Sequence, residues 1–448
     1  MNDNMTITRS RQIRMLSVST VSFTVCFAVW TVFSIIGIQI KRDLGLNDTE
    51  FGLLIGTPIL TGSLVRLILG LWTDRYGGRL VFTLVMLSAA AATALLSLAK
   101  TYEMLLIAAL GVGIAGGSFA VGIAYTSRWF SKERQGTALG IFGMGNIGAA
   151  VTKFLAPMVM VAFGWQTVAL IWAGVLAVMA VIFWLIAEED PVIANRRAHG
   201  LSSPTLRQQL GPLKNIQVWR FSLYYFFVFG AFVALALWLP HYYVGCYGLS
   251  IGAAGMLGAA YSIPASLFRV VGGIMSDTIG ARRVLYLTFG CSMVFAFLLS
   301  YPNTDYVVHG TNGPIAFSIH TSVTMFTVLI FGLGFFMSLG KAAVYKHIPV
   351  YYPDNVGAVG GIVGLIGGLG GFVLPIAFGV LNDLTGVWTS CFMLLFLVVT
   401  VNLLWMHFAV QRMERRAYPN IRTLPTLPEL AGTTHSRPVS GPAAAPAD

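Results

Sequence analysis

Residues 66–79 read RLILGLWTDRYGGR, and residues 269–282 read RVVGGIMSDTIGAR, with the same pattern of arginines, glycines and aspartate. Each copy opens with an arginine, Arg66 or Arg269, that lies in an apolar run without a carboxylate. A guanidinium stays charged at every accessible pH, and burying that charge in hydrocarbon costs free energy. The repeat therefore predicts two related halves and an anionic group that meets both arginines.

The composition is that of an integral membrane protein. Of the 448 residues, 56 % are hydrophobic and 10 % are charged, and the mean hydropathy is +0.77; soluble domains carry about a quarter charged residues. Apolar runs of about 20 residues can each cross a ~30 Å hydrocarbon core as a helix. The absence of period-two alternation argues against a β-barrel. We predict twelve transmembrane helices, near residues 17–40, 51–72, 80–99, 104–127, 136–161, 167–187, 220–240, 250–275, 284–301, 320–345, 357–381 and 388–410.

The basic residues predict the orientation. Most of them fall on one side of the predicted spans, and the other side holds Lys41, Arg42 and Lys100. The positive-inside rule then places both termini in the cytoplasm of a multi-pass protein of the inner membrane. This bias accounts for the net charge of +11, and no basic domain supports nucleic-acid binding. The first apolar run is too long for a cleaved signal peptide.

A polar segment divides the chain into two halves. We predict an N-terminal six-helix bundle at 1–187, a cytoplasmic linker at 188–219, a C-terminal six-helix bundle at 220–410 and a disordered cytoplasmic tail at 411–448. Repeats of this kind, related by pseudo-two-fold symmetry, are typical of transporters that bind their substrate at the midplane between the halves. The four cysteines are scattered, and we expect them to be small core residues.

Glycines recur in the fifth and eleventh predicted spans. Small residues at helical spacing let helix backbones approach and slide. Static packing would explain a single glycine, whereas glycines in two equivalent helices favour a mobile seam between the bundles. The candidates for this conformational role are Gly143, Gly145, Gly148, Gly364, Gly367 and Gly368.

Two sets of motifs resemble known families. The first copy resembles the cytoplasmic loop motif of the major facilitator superfamily at Asp74, Arg75, Gly77 and Arg79. In the second copy, Asp277 occupies the position of Asp74. We expect these charges to pair across the bundles in one conformation and to part in another. The glycine-rich stretches 116–122, 136–157 and 360–375 resemble the signatures of the NarK-type nitrate/nitrite porter family.

The resemblance implies an all-α major facilitator fold that carries nitrate or nitrite between two arginines. By motif position, Arg66 and Arg269 would grip the anion, and the site would be lined by Phe119, Asn146, Tyr225 and Phe229. The chemistry agrees, because nitrate is flat and singly charged and a guanidinium presents its donors in one plane. Packing in the core is the alternative role for Phe119, and only helical phase separates Tyr225 from Tyr224.

Two lysines fall inside predicted spans. Lys341 is close enough to a span end for its amine to snorkel to the interface, whereas Lys153 is deeper. No Asp or Glu lies in the middle of a predicted span, so these lysines are the candidate proton carriers. The histidines fall at span ends or in loops, and we expect them at the surface.

Several mechanisms remain open from the sequence. Repulsion between two uncompensated arginines favours exchange of nitrate for nitrite, and proton-coupled nitrate symport is the alternative. An exchanger of another small oxyanion or an organophosphate is a more distant possibility. No motif indicates an enzyme, a cofactor or a metal site, and the fold class leads us to expect a monomer in the lipid bilayer.

Overall fold

The computed structural model describes residues 8–130, 132–189, 191, 194, 214–352 and 356–417, and it is almost entirely helical. Polar side chains cap the starts of several helices; Asn47 and Glu50, for example, form a capping box at the start of α3. The helices of the first half are α1 Arg9–Trp30, α2 Phe33–Leu44, α3 Asp48–Tyr76, α4 Gly78–Leu96, α5 Tyr102–Val112, α6 Ser118–Ser127, α7 Lys132–Gly143, α8 Gly148–Phe163 and α9 Trp165–Ile186.

The second half repeats this organisation and adds a β-hairpin. Its elements are α10 Ile216–Tyr225, α11 Phe232–Tyr247, α12 Ile251–Leu267, α13 Arg269–Met275, α14 Ala281–Ser300, β1 Thr304–Gly310, β2 Gly313–Ile319, α15 Val323–Tyr351, α16 Val356–Thr385 and α17 Ser390–Ala417. The two strands are antiparallel. The sequence did not predict the hairpin, which lies between the ninth and tenth predicted spans.

The predicted fold class is confirmed, with one difference in segmentation. Eleven stretches within the described residues are long and apolar enough to cross a membrane. One of them, Ile251–Ser300, has 50 residues and contains two of the twelve predicted spans. A helix rises 1.5 Å per residue, so this stretch is more than twice as long as the ~30 Å core requires.

The internal repeat extends to the backbone conformation. Gly77 has φ 93° and Gly280 has φ 91°, and each lies directly before a helix, α4 or α14. This region of φ disfavours a side chain with a Cβ atom. The glycine of each copy therefore allows the sharp turn between two successive spans.

The two halves pack against each other along two seams. Helix α3 of the first half packs against α16 of the second, and α8 packs against α12. On α3, Gly52 and Gly56 bring the helix against the backbone of Pro375 and Phe372. The small residues thus allow a close approach of helices from opposite halves.

The helices that surround the centre of the molecule are irregular at their midpoints. Residues Gly113–Gly117 and Met144–Ile147 form 3₁₀ turns, and Phe226–Ala231 forms a π-helical turn. Such interruptions are common at functional sites. Most of the predicted linker, and residues 418–448 of the predicted tail, lie outside the described residues.

Candidate anion-binding site

The two repeated arginines meet at one aromatic ring in the centre of the molecule. Arg66 lies on α3 and is 3 % exposed, and Arg269 begins α13 and is 4 % exposed. Their Cζ atoms lie 5.3 Å and 5.6 Å from the centroid of the Phe119 ring. Phe119 belongs to α6 of the first half. The fold therefore brings a cation from each half to a shared, buried aromatic face.

Further aromatic rings enclose Arg66. The centroids of Trp30 and Phe229 lie 5.5 Å and 5.4 Å from its Cζ atom. Phe119 and Phe229, from opposite halves, are stacked with centroids 6.1 Å apart and an interplanar angle of 21°. The faces of aromatic rings attract cations and exclude water. The site is thus an aromatic slot around a guanidinium.

Tyr225, rather than Tyr224, faces this site. Its ring stacks on Phe229 with centroids 5.0 Å apart, and it makes an edge contact with Tyr345 at 4.9 Å. The ring of Tyr345 also lies 5.9 Å from the Cζ atom of Arg269. Tyr224 instead packs against Phe289 of α14. Helical phase therefore resolves the choice between the neighbouring tyrosines.

Backbone carbonyls use only part of the donor capacity of Arg66. Its Nε donates to Gly116 O at 3.3 Å, and its Nη1 donates across the seam to Gly364 O at 2.8 Å. Its Nη2 has no hydrogen-bond partner, nor does Nη1 of Arg269. Neither arginine forms an ion pair with a carboxylate in the described part of the chain. Charged donors therefore remain available at the site.

Other buried polar side chains on the elements that form the site also lack hydrogen-bond partners, among them the Tyr225 hydroxyl. Asn146 is fully buried in the 3₁₀ turn after α7, and neither atom of its amide group has a hydrogen-bond partner. The Ser63 hydroxyl, one turn before Arg66 on α3, is also buried without one. Buried polar groups without partners cost free energy. An anion or a water molecule hydrogen-bonded to these side chains would offset that cost.

Three of the predicted glycines lie directly against the site. A Cβ atom on Gly143 would lie 2.9 Å from Cζ of Arg269, and one on Gly368 would lie 3.0 Å from Nη1 of Arg66. A Cβ atom on Gly364 would lie 2.9 Å from the Tyr345 hydroxyl. These glycines leave room for the arginines and their aromatic neighbours.

The remaining signature glycines pack within their own halves. Gly145 and Gly148 bring the chain against Phe23, Thr24 and Ala28 of α1, and Gly367 lies against Tyr225, which faces the site. The role of all six glycines in a mobile seam between the bundles stays a prediction. Gly145 lies within the 3₁₀ turn after α7 and Gly148 directly follows that turn.

The charged motif residues lie at the ends of their helices. Arg75 is exposed and lies over the Tyr76 ring, 5.3 Å from its centroid. Asp277 pairs with Lys346 of α15, in its own half. The side chain of Asp74 is outside the described residues. The predicted pairing of these charges across the bundles thus stays a prediction.

Both intramembrane lysines are fully buried. Nζ of Lys153 on α8 donates to Oγ of Ser262 on α12, at 2.6 Å, across the second seam. Nζ of Lys341 donates to the carbonyl of Ala265 and lies 3.6 Å from the Phe232 centroid. The expected snorkelling of Lys341 is therefore wrong, because α15 continues to Tyr351 and helices α11 and α12 cover the amine.

A polar cluster links the halves at the end of the molecule away from both termini; we call it the Asp48 cluster (Lys41, Asp48, Thr49, His241, Asn382 and Asp383). Asp48 begins α3 and pairs with Lys41 of its own half. From the second half, His241 Nε2 lies 2.7 Å from Asp48 Oδ1, and Asn382 Nδ2 donates to Oδ2 at 2.5 Å.

Asp383 completes the cluster as a helix cap supplied by the other half. Its carboxylate accepts the backbone N–H groups of Asp48 at 3.1 Å and Thr49 at 2.8 Å, and also the Thr49 hydroxyl. Free N–H groups and the positive end of the helix dipole both favour a carboxylate here. The first turn of α3 is therefore bound to the end of α16.

The sequence failed to identify several of these residues. His241 and His347 are 6 % and 4 % exposed, so the expectation of surface histidines is wrong for both. Trp30 and Tyr345 contact the arginines but occur in long apolar runs that contain other aromatic residues. In the described residues no cluster of three or more His, Cys, Asp or Glu side chains could hold a metal ion.

Comparisons with known proteins place these features in a family. The model of the Major Facilitator Superfamily matches residues 18–310 and 245–438. The chain is 43 % identical over 427 residues to a protein of Thermus thermophilus named probable nitrate/nitrite antiporter NarK1, which covers 92 % of this chain and 95 % of that one.

The chain is also similar to two further relatives and to one solved structure. The nitrite extrusion protein of Bacillus subtilis is 29 % identical over 93 % of this chain and 99 % of its own length. The probable nitrate transporter NarT of Staphylococcus haemolyticus is 30 % identical over 85 % and 92 %. The crystal structure of a bacterial homologue of the human lysosomal transporter Spinster, inward-facing and occupied, matches with a TM-score of 0.68 and 16 % identity, over 90 % of this chain and 98 % of that one. That likeness concerns the fold alone.

Proposed function

The chain belongs to the nitrate/nitrite porter family of the major facilitator superfamily, and on that premise we propose that it carries nitrate, nitrite or both across the cytoplasmic membrane. The anion lies between Arg66 and Arg269. The observation that carries this proposal is the meeting of two buried guanidiniums, one from each half, at the Phe119 ring, each with a donor nitrogen that lacks a partner.

The chemistry of the site suits a flat monoanion. Charge-assisted hydrogen bonds from two planar forks can hold three coplanar oxygens. Phe119 and Phe229 would cover the faces of the anion, while Tyr225 and the Asn146 amide would add donors. The described lining has no histidine and few polar groups besides the arginines, which is a poor match for a phosphate dianion. We therefore favour nitrate and nitrite over organophosphates.

Transport by alternating access requires the Asp48 cluster to open. The cluster and the α3–α16 seam close one end of the molecule, and an anion entering from that end must separate them. We assign this end to the outside, because the positive-inside rule places both termini in the cytoplasm. The Asp48 cluster then acts as the outer gate, and the protein works as a monomer whose two halves rock around the anion.

Asp383→Asn should open the outer gate. The amide removes the charge that caps the first turn of α3, and hydrogen bonds to charged groups contribute about 1.5–3 kcal/mol. We expect the outward-open population to rise about tenfold, since 1.4 kcal/mol corresponds to a factor of ten. Spin labels are attached at Leu44 and Leu384, which are exposed and lie one on each half. Pulsed electron resonance then measures the distance between the two labels, and a larger outward-open population should appear as a larger fraction of long distances.

Asp305→Asn is the matched control for the gate. Asp305 lies in the hairpin at the same end of the molecule and pairs with His320 at 3.3 Å, away from the seam. Its substitution should leave the distance distribution unchanged. An Asp383→Asn distribution identical to that of the control would refute the gate.

The two uncompensated arginines favour exchange as the transport mode. They repel one another, and a bound anion relieves that repulsion by several kcal/mol in a dry site. The loaded carrier should therefore interconvert readily and the unloaded one slowly. We expect nitrate uptake into proteoliposomes loaded with nitrite to exceed uptake into unloaded ones at least about tenfold, a difference of 1.4 kcal/mol.

Proton-coupled nitrate symport is the second candidate, and the burial of Lys153 favours it. The amine is fully buried at the α8–α12 seam and has no carboxylate partner in the described residues. If a low external pH drives uptake into unloaded vesicles as fast as internal nitrite does, exchange is not obligatory. Lys153→Met should then abolish the proton-driven component and spare counterflow, while Lys100→Met, an exposed lysine, should change neither.

A further inference from the structure

The β-hairpin carries an apolar face that none of the residues described by the structure covers. Residues directly opposite in an antiparallel pair share a face, and successive residues alternate between faces. Tyr306 pairs with Phe317, Val308 pairs with Ile315, and Ile319 lies opposite Thr304. All of these residues therefore lie on one face. Phe317 is 44 % exposed and Ile315 is 59 % exposed.

The opposite face is mixed, and it carries the polar side chains of Asp305, Ser318 and His309 beside the exposed Val307. It holds the pairs Asp305–Ser318, Val307–Ala316 and His309–Pro314. A hydrogen bond from Ser318 lowers the pKa of the Asp305 carboxyl, which keeps a negative charge on this face. The alternation makes the hairpin amphipathic. Because an isolated two-stranded hairpin is marginally stable in water, its apolar face needs a cover.

The hairpin is held close to the membrane boundary. Helix α14 ends at Ser300 and α15 begins at Val323, so three residues connect each strand to a transmembrane helix. Three extended residues span about 10 Å. The Thr321 N–H donates to Asn303 Oδ1 at 2.9 Å and closes the base of the hairpin. The strands therefore begin within about one headgroup layer of the helix ends.

Exposed apolar side chains also occur on the two helix ends that flank the hairpin. In the last turn of α14, Phe297 is 55 % exposed, and near the start of α15, Met325 and Val328 are 51 % and 60 % exposed. These side chains face lipid in a membrane-spanning protein. The hairpin adds the stacked Tyr306–Phe317 pair, with centroids 5.2 Å apart, and tyrosine is a residue that membrane interfaces favour.

We propose that the hairpin lies on the outer leaflet of the bilayer, with Tyr306, Val308, Ile315, Phe317 and Ile319 inserted among the headgroups and upper acyl chains. Residues 301–322 contain no lysine or arginine, so the attachment depends on apolar burial rather than on anionic lipids. The hairpin thereby anchors the connection between α14 and α15 at the membrane surface. Neither the transported anion nor the coupling mode enters this inference.

Spin labels at adjacent hairpin positions test the proposal in full-length protein in liposomes. The four free cysteines are first replaced, and single cysteines are introduced as Ile315→Cys and Phe317→Cys on the apolar face. Ala316→Cys and Ser318→Cys, on the opposite face, are the matched controls. Retained transport by each labelled variant shows that it folds.

Collision rates with oxygen, which partitions into lipid, and with a water-soluble nickel chelate distinguish the environments. We expect the oxygen-to-nickel ratio to be several-fold higher at 315 and 317 than at 316 and 318. Ready access of nickel at all four positions would show that the hairpin stands in water. Low rates for both reagents at 315 and 317 would show that a protein partner or a second copy covers the face. Either result overturns the proposal.

Discussion

Arg66→Lys and Arg269→Lys should each lower the rate of nitrate transport about a hundredfold, because each removes a planar fork that makes two charge-assisted hydrogen bonds worth about 1.5–3 kcal/mol apiece. Lysine keeps the positive charge, so the loss of transport rate would come from the altered geometry of the hydrogen-bond donors. Neither arginine neutralises a protein carboxylate in the described residues. The variants should therefore fold, and their melting temperatures should stay close to the parent value.

Initial rates of nitrate uptake in proteoliposomes measure this effect. Arg42→Lys is the control, since Arg42 is an exposed residue near the end of α2 and is not among the residues that line the site. It should transport at the parent rate. Parent-like transport by either site variant would show that the two arginines do not grip the anion.

Gly143→Ala should lower transport at least about tenfold without unfolding the protein. The new Cβ atom would come within 2.9–3.0 Å of three atoms of the Arg269 guanidinium group. This group is the end of a flexible side chain and can move aside, so the effect on stability is small. Its displacement by a fraction of an ångström misaligns the donors, and such errors in position are costly for function.

Gly140→Ala is a control on the same helix. A Cβ atom at Gly140 meets nothing within 4 Å, so both variants gain the same methyl group and the same helix propensity. Nitrate uptake rates and nitrate affinities are measured for both variants. A loss in Gly143→Ala alone would come from contact with Arg269, whereas a loss in both variants would come from a general effect on α7. Equal uptake rates for Gly140→Ala and Gly143→Ala would show that Gly143 does not act through the site.

The sequence predicted the parts of the molecule that repeat or that follow hydropathy. The apolar runs predicted the helical membrane fold, which is confirmed. The duplicated motif singled out Arg66 and Arg269, and the structure brings both to Phe119. The glycine signatures singled out Gly143, Gly364 and Gly368, which lie against the site. Their roles in binding and gating remain predictions.

Contacts between distant parts of the chain could not be predicted in this way. Asp48 and Asp383 each look like an ordinary charge at a helix end, and only the packing of α3 on α16 joins them. Trp30 and Tyr345 are two aromatic residues among many. The depth of Lys341 was misjudged because α15 extends further than hydropathy indicates. The contact of Gly145 and Gly148 with α1 likewise depends on how the helices pack.

The location of a bound nitrate ion tests the central claim most directly. A high-resolution structure of the nitrate-saturated protein should show flat density within about 3 Å of guanidinium nitrogens of both Arg66 and Arg269, the spacing of charge-assisted hydrogen bonds. The Phe119 ring should lie beside that density. Nitrate bound elsewhere, or held by one arginine while the other faces lipid or a carboxylate, would contradict the account.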